Sequence, residues 1–289
     1  MECVTQTWFE VIVEVPPGGA DSVANFLVEN GAPGVQIQEE NGRAVLTAHF
    51  AGAPPLQGLQ RYCADIGCSW PAPARINVRE TASEDWEHNW KLHFQPQLLG
   101  QRLYICPPWT VEPPPGRIAV VINPGMAFGT GQHASTRGCL HLLDGMAAER
   151  QIGRALDVGT GSGVLAIALA KLGSPAVWAV DIDPNARAIA AENVARNHVE
   201  ACVQIRSALD EVQGAFDVIT ANLFANLLQE LAARLAALVR RDGVLICSGF
   251  LDADEPAVCH AYAGLGFQVY RRYEELPWVT LSLRRTEGA

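Results

Sequence analysis

The sequence contains no uninterrupted apolar run long enough to span a bilayer, no Cys-x-x-Cys pair and no surplus of basic residues. Each absence removes a class of function. A transmembrane helix needs about 20 consecutive apolar residues. The opening residues Met1-Glu2-Cys3-Val4-Thr5-Gln6 offer neither the basic region nor the apolar centre of a secretory signal, so the expected location is cytoplasmic. The eight cysteines, at 3, 63, 68, 106, 139, 202, 247 and 259, are scattered, which indicates neither a zinc site nor a disulfide framework. They are expected to be reduced and to pack as small apolar residues. A net charge of −10 argues against general affinity for nucleic acid phosphates.

The 289 residues, 49% of them hydrophobic, suffice for two domains with substantial cores. Charge is unevenly spread: residues 1–96 carry twelve acidic and five basic side chains, the remainder nineteen and sixteen. The N-terminal third therefore suits a module that meets a basic partner, and equally one whose charge serves only solubility.

That third reads as a small α+β unit in βαββαβ order, the ferredoxin-like pattern. Strands are predicted at Trp8–Val15, Gly34–Gln38, Arg43–Phe50 and Ala74–Arg79, with helices at Ala20–Glu29 and Leu56–Ile66. Asn41-Gly42 marks a hairpin between the middle strands. Residues 83–94 are predicted as a helix bridging the domains, with Trp86 and Trp90 one turn apart at the packing surface. Hence residues 1–80 are expected to form one domain, 81–96 a linker helix and 97–289 a second domain.

In the second domain strands and helices alternate, as in a parallel sheet covered on both faces. Strands are predicted at Ile118–Ile122, Ala155–Val158, Val177–Val180, Val203–Arg206, Phe216–Thr220 and Val244–Cys247. Helices are predicted at Val164–Leu172, Pro184–Asn197, Ala225–Val239 and Glu255–Leu265. The last two strands, Gln268–Tyr273 and Trp278–Leu283, are joined too tightly for a parallel crossover, so one of them runs antiparallel.

Chemistry concentrates in three places. The first is Asp157-Val158-Gly159-Thr160-Gly161-Ser162-Gly163, a strand end and glycine turn followed by a helix and then by Asp181-Ile182-Asp183. Glycines let a backbone pass close to a ligand, and an acid about 20 residues on accepts from ribose hydroxyls. The third glycine falls one residue short of the dinucleotide fingerprint, so the turn fits S-adenosylmethionine better than a dinucleotide. Gly159, Gly161, Asp181 and Ile182 are candidate contacts, and Asp157 is a candidate partner of the ligand's ammonium group. The bland reading is a turn that only closes a βα unit. The second place is the glycine-rich loop 123–136, which lacks the lysine of a phosphate loop. Phe128 can supply apolar contact there, and Thr130, Ser135 and Thr136 can supply hydroxyls; the plainer reading is a flexible connection. His133 reads as a residue satisfying local structure rather than as a base.

The third place is Ala221-Asn222-Leu223-Phe224, at a strand's carboxyl end where open α/β sheets bind ligands. The Asn222 amide oxygen can hold an amine N–H in line with a methyl donor, beside an apolar wall of Leu223 and Phe224. With neither a proline pair nor a tyrosine after Asn222, a flat acceptor loses its stacking platform and an aliphatic amine is favoured. Asn222 as a helix N-cap is the structural alternative. No metal ligands at suitable spacing stand out.

These motifs resemble those of the bacterial methyltransferases of ribosomal protein L-eleven, the PrmA family, over essentially the full length. The resemblance rests on Glu84-Asp85-Trp86 with Trp90, on Ile105-Cys106-Pro107 with Trp109, and on Pro124 to Gly131 with His133 and Thr136. It extends through Asp157 to Gly163, Asp181 to Pro184, Ala221-Asn222-Leu223 and Ser248-Gly249-Phe250-Leu251. It implies a class I methyltransferase fold, Rossmann-like, with a seven-stranded sheet ending in an antiparallel hairpin. It further implies S-adenosyl-L-methionine contacts at Thr136, Gly159, Asp181 and Asn222, and methylation of α- and ε-amino groups of a basic ribosomal protein held by the N-terminal domain. Asn123 and Ala134-Ser135 depart from the family pattern. A lysine methyltransferase with another protein substrate and a non-catalytic cofactor-binding module are the alternatives.

Overall fold

The computed structural model describes residues 8–32, 34–40, 42–67, 70, 72–81, 95–110, 112–123 and 131–285. The chain divides into two compact units, residues 1–93 and 94–289. The predicted bridging helix at 83–94, with Trp86 and Trp90, lies outside the described residues, as does Asn41 of the hairpin.

In the first unit, strands β1 (Trp8–Val15), β2 (Val35–Glu40), β3 (Arg43–Ala51) and β4 (Arg75–Thr81) form a sheet in the order β2-β3-β1-β4. Every pairing is antiparallel. Helices α1 (Ala20–Glu29) and α2 (Leu56–Ile66) supply the two crossovers. Alternation sets the core: Val11, Val13 and Val15 on β1 and Leu46 and Ala48 on β3 pack with Val23, Leu27 and Leu59 of the helices. This is the ferredoxin-like topology that the βαββαβ order predicts.

The second unit contains a seven-stranded sheet: β8 (Ala155–Val158), β9 (Val177–Val180), β10 (Val203–Arg206), β11 (Phe216–Asn222), β12 (Val239–Leu251), β13 (Phe267–Glu275) and β14 (Trp278–Arg285). Their spatial order is β10-β9-β8-β11-β12-β14-β13. The first five are parallel, and β14 is antiparallel to both β12 and β13. Consecutive residues of β11 enter different cores. Val218 joins a cluster with Leu140, Ile167 and Ile246, whereas Ile219 joins one with Leu156, Leu235 and Tyr262. Burial on both faces explains the continuous apolar strands. Helices α3 (Ala134–Glu149), α4 (Val164–Lys171), α5 (Pro184–Arg196), α6 (Ala225–Glu230), α7 (Ala232–Leu238) and α8 (Glu255–Ala263) are those described in this unit.

Three predicted elements differ. Ile118–Ile122 does not join the main sheet: Ile118–Val121 (β7) runs parallel to Leu103–Cys106 (β6), which forms a hairpin with Gln97–Leu99 (β5) in a separate three-stranded sheet. The single helix predicted at Ala225–Val239 is two, divided at Leu231, where ψ is −3°. Val239 already belongs to β12, paired with Phe216, so β12 is longer than the predicted Val244–Cys247.

Candidate active site

Strands β8, β9 and β11 end in register, Val158 beside Val180 and beside Ala221. Parallel strands that end together place the residues after them on one rim, so Gly159, Asp181 and Asn222 converge there. Gly159, Gly161 and Gly163 have φ of 71°, 53° and 85°, backbone conformations that side chains disfavour. The turn is pinned by Gly159 and Thr160 amides donating to the Val180 carbonyl at 2.8 and 3.0 Å.

Asp181 ties this turn to the segment leading into α5. Its Oδ2 accepts from the Gly161 amide at 2.9 Å and its Oδ1 from the Asp183 amide at 3.0 Å. Each oxygen keeps a further lone pair for an incoming hydroxyl. Asp183 caps α5 through the Asn185 amide at 2.9 Å. Ile182, between the two acids, is 86% exposed, an apolar side chain standing free beside a polar turn.

Asp157 lies beneath the turn rather than in it. Its side chain is buried, and its oxygens accept from the Thr220 and Thr160 hydroxyls, both at 2.7 Å. Burial raises its pKa to about 6 against the opposing effect of those hydrogen bonds. In the structure its carboxylate braces β8, the turn and β11 against one another.

Helix α5 contributes a brace that the sequence does not announce. Asn193, buried, donates to the Ser162 carbonyl at 2.9 Å and accepts from the Asn123 amide at 3.0 Å. Asn197 accepts from the Val121 amide at 2.8 Å. Buried amides must find partners, and these two join the cofactor turn to the strand from which the loop 123–136 departs. Their spacing of four, on the inner side of a helix with Ala190 and Val194, was the available signal.

Of that loop, Phe128 and Thr130 lie outside the described residues. His133 is the N-cap of α3, accepting from the Ser135 amide at 3.3 Å, with its ring against Trp278. Burial and the neighbouring Arg137 lower its pKa against the opposing charge of Glu275. Ser135 and Thr136 are buried, and the Ser135 hydroxyl lies 2.7 Å from His133 Nδ1. The Ser135 hydroxyl therefore serves the cap rather than a ligand.

Asn222 Nδ2 donates to the Thr136 hydroxyl at 3.3 Å. Its Oδ1 is buried and has no hydrogen-bond partner among the described residues. The helix after β11 is capped at Phe224 without any side-chain hydrogen bond, which removes the structural alternative of Asn222 as an N-cap. Phe224 is 74% exposed.

A strand order with the cofactor turn after β8, an acid after its neighbour β9, and a terminal antiparallel hairpin together define a class I methyltransferase, whose methyl donor is S-adenosyl-L-methionine. The residues fit that donor: a side-chain-free turn, an acid with spare lone pairs and an exposed apolar residue beside it. The sequence profile described as ribosomal protein L11 methyltransferase (PrmA) matches residues 7–286, and the chain belongs to that family. A ribosomal protein L11 methyltransferase of Citrifermentans bemidjiense is 37% identical over 311 residues, spanning 98% of this chain and 99% of its own. One of Geobacter sulfurreducens is 38% identical over 303 residues, spanning 97% and 99%. The crystal structure of a ribosomal protein L11 methylase from Lactobacillus delbrueckii subsp. bulgaricus matches with a TM-score of 0.61 at 32% identity, covering 67% of this chain and all of that one. No helix among the described residues is long and apolar enough to cross a membrane, and these residues hold no cluster of metal-ligating side chains.

Proposed function

We propose that this chain methylates amino groups, lysine ε-amino groups and the N-terminal α-amino group, of ribosomal protein L11. Family membership supports the ribosomal protein as substrate. The observation that carries the amine reading is the Asn222 amide. One of its two N–H bonds goes to Thr136, its buried oxygen has no partner among the described residues, and an unpaired acceptor selects a donor such as an amine N–H.

S-adenosyl-L-methionine, when bound, supplies a methyl group on a positively charged sulfur. Gly159, Gly161, Asp181, Ile182 and Thr136 are the residues that would hold it, with Phe128 and Thr130 as further candidates. Asn222 Oδ1 accepts one N–H of the neutral amine and so orients the nitrogen lone pair, an alignment effect rather than a proton transfer. A lysine of ordinary pKa, about 10.4, arrives charged. The apolar surfaces of Leu223 and Phe224 disfavour the ammonium, and the proton leaves to water before the methyl group is accepted. Asp157 is enclosed and serves no base role.

Residues 1–80 are proposed as the recognition domain, residues 81–96 as the connection and residues 97–289 as the transferring domain. The acidic excess of the N-terminal third suits a basic protein partner, and the reaction belongs in the cytoplasm where ribosomal proteins are made. Labelled cofactor incubated with purified protein and a ribosomal-protein extract tests the reading: label on L11 amines is expected. Label on another protein overturns the substrate, and cofactor binding without any label overturns catalysis. Removing residues 1–93 should leave cofactor affinity unchanged and lower kcat/KM for the ribosomal protein at least tenfold. Added salt should raise the substrate KM of the full chain, because exposed charges are screened over a Debye length of about 8 Å at physiological ionic strength.

A further inference from the structure

The Ser248-Gly249 step carries no part of the chemistry described above, yet the main sheet loses its regular register there. The antiparallel pairing of β12 with β14 shifts between Cys247 and Phe250. Such a bulge bends a strand and re-aims its neighbours. Gly249 has φ of +91°, and a Cβ placed on it would lie 2.6 Å from the Leu223 carbonyl oxygen and 2.9 Å from the Leu223 amide nitrogen. Backbone has been brought against backbone, and only glycine permits it. On the other side of Leu223, its Cδ2 lies 2.5 Å from where a Cβ of Gly159 would be. Leu223 is therefore wedged between two glycines, one from the bulge and one from the cofactor turn.

From the bulge a chain of contacts returns to Asn222. Ser248 pairs with Asn222 across the parallel strands, and its carbonyl accepts from the Leu223 amide at 2.9 Å. The Ser248 hydroxyl lies 2.7 Å from the Thr280 hydroxyl and donates to the Val279 carbonyl at 3.0 Å. Thr280 in turn presses on α3: a Cβ on Gly138 would meet the Thr280 hydroxyl at 2.1 Å. Two residues before Gly138 on that helix stands Thr136, whose hydroxyl accepts from Asn222 Nδ2. Ser248 and Thr280 are buried, and the hydroxyl of Ser248 is engaged by Thr280 and Val279.

We propose that Ser248 and Gly249 are positioning residues of the methyl transfer: the bulge sets the distance between β11 and α3 and thereby fixes the Asn222 amide with its oxygen toward the acceptor. The inference rests on the reading of Asn222 as the acceptor of an amine N–H. Its mechanism is geometric. Moving Leu223 or α3 by a fraction of an ångström breaks the Thr136 contact and frees the amide to rotate, and misplacement of about 1 Å suffices for a hundredfold loss of rate.

Four single variants and one double variant test it on the full-length enzyme, with kcat toward the ribosomal protein, cofactor Kd by calorimetry and Tm as readouts. Gly249→Ala should lower kcat at least tenfold with cofactor Kd within threefold of wild type. Ser248→Ala, which removes only the hydroxyl, should lower kcat about threefold and serves if Gly249→Ala does not fold. Leu283→Ala opens a cavity at the far end of β14, where it pairs with Leu245; it should lower Tm without changing kcat below its melting transition. Asn222→Ala should lower kcat by itself, and Ser248→Ala added to it should have no further effect on kcat, since residues acting through one group are not additive. Additive losses, or wild-type kcat in a folded Gly249→Ala or Ser248→Ala, would overturn the positioning role while leaving the Asn222 reading intact. Wild-type kcat in Asn222→Ala would overturn that reading and the inference with it.

Discussion

The two walls of the site are built on opposite principles. On the cofactor wall, the turn 159–163 and Asp181 satisfy one another, with amides of the turn donating to Val180 and to the Asp181 carboxylate, and glycines taking the left-handed conformations. On the acceptor wall, Asn222 Oδ1 is left without a partner among the described residues, and Phe224 is held out at the end of β11. The first wall is held in place by its own hydrogen bonds; the second, on the proposed reading, is completed by a substrate. A group bound in the same way at every turnover favours a rigid cradle, whereas alignment of a reacting amine favours an acceptor whose hydrogen bond forms only with that amine.

If this contrast holds, the two walls fail in different ways when cut. Asp181→Ala should weaken cofactor binding roughly a hundredfold by calorimetry, because hydrogen bonds to a charged acceptor contribute about 1.5–3 kcal/mol each, and kcat at saturating cofactor should fall far less. Unchanged affinity in a folded variant would remove Asp181 from the cofactor wall. Asn222→Ala should show the reverse pattern, kcat falling about tenfold to a hundredfold with a small change in cofactor Kd. A raised cofactor KM with intact kcat would assign Asn222 to the first wall and erase the contrast.

Asp157 sharpens the comparison through pH. Its folded pKa, about 6, lies above the ordinary carboxylate value. Between pH 4 and 6 the native state therefore binds the proton more tightly than the unfolded chain, and the contribution of this group to stability falls as pH rises through that window. Asp157→Asn should remove that part of the pH dependence, of order 2 kcal/mol, as seen in urea titrations of both proteins at pH 4 and pH 7. An unchanged difference between the two pH values would show that Asp157 ionises as freely as in the unfolded chain. The smallest effect is expected from Ile182→Ala: exposed in the structure, the side chain contributes little to Tm, while cofactor Kd should rise about threefold from lost apolar contact at about 25 cal/mol per Å². A large drop in Tm would instead make Ile182 a packing residue.

The seven-stranded sheet was legible because its strands are short apolar runs separated by glycine turns, and the meeting of Gly159, Asp181 and Asn222 on one rim because each comes at the carboxyl end of such a run. The three-stranded sheet was not, since Gln97–Leu99 has three residues and too few alternations to show a period, and without it Ile118–Val121 had no visible partner. The bracing contacts of Asp157 were not legible because proximity to a turn in sequence does not say which side of the strand a carboxylate faces; its partners Thr160 and Thr220 are 60 residues apart. The braces Asn193 and Asn197 were missed for the same reason. Asparagine on a helix reads as surface until its partners, Ser162, Asn123 and Val121, are seen.

Those two asparagines also set the size of the unit that opens when the native state fluctuates. Val121 and Asn123 donate their amides to Asn197 and Asn193, while Asn193 also holds the carbonyl of Ser162. Neither strand end nor turn can swing out without stripping a buried amide of its partner, so in native-state hydrogen exchange the amides of Val121 and Asn123 should share one opening free energy with that of Gly163. A donor molecule seated on the turn would then slow exchange at Val121, a position it never touches.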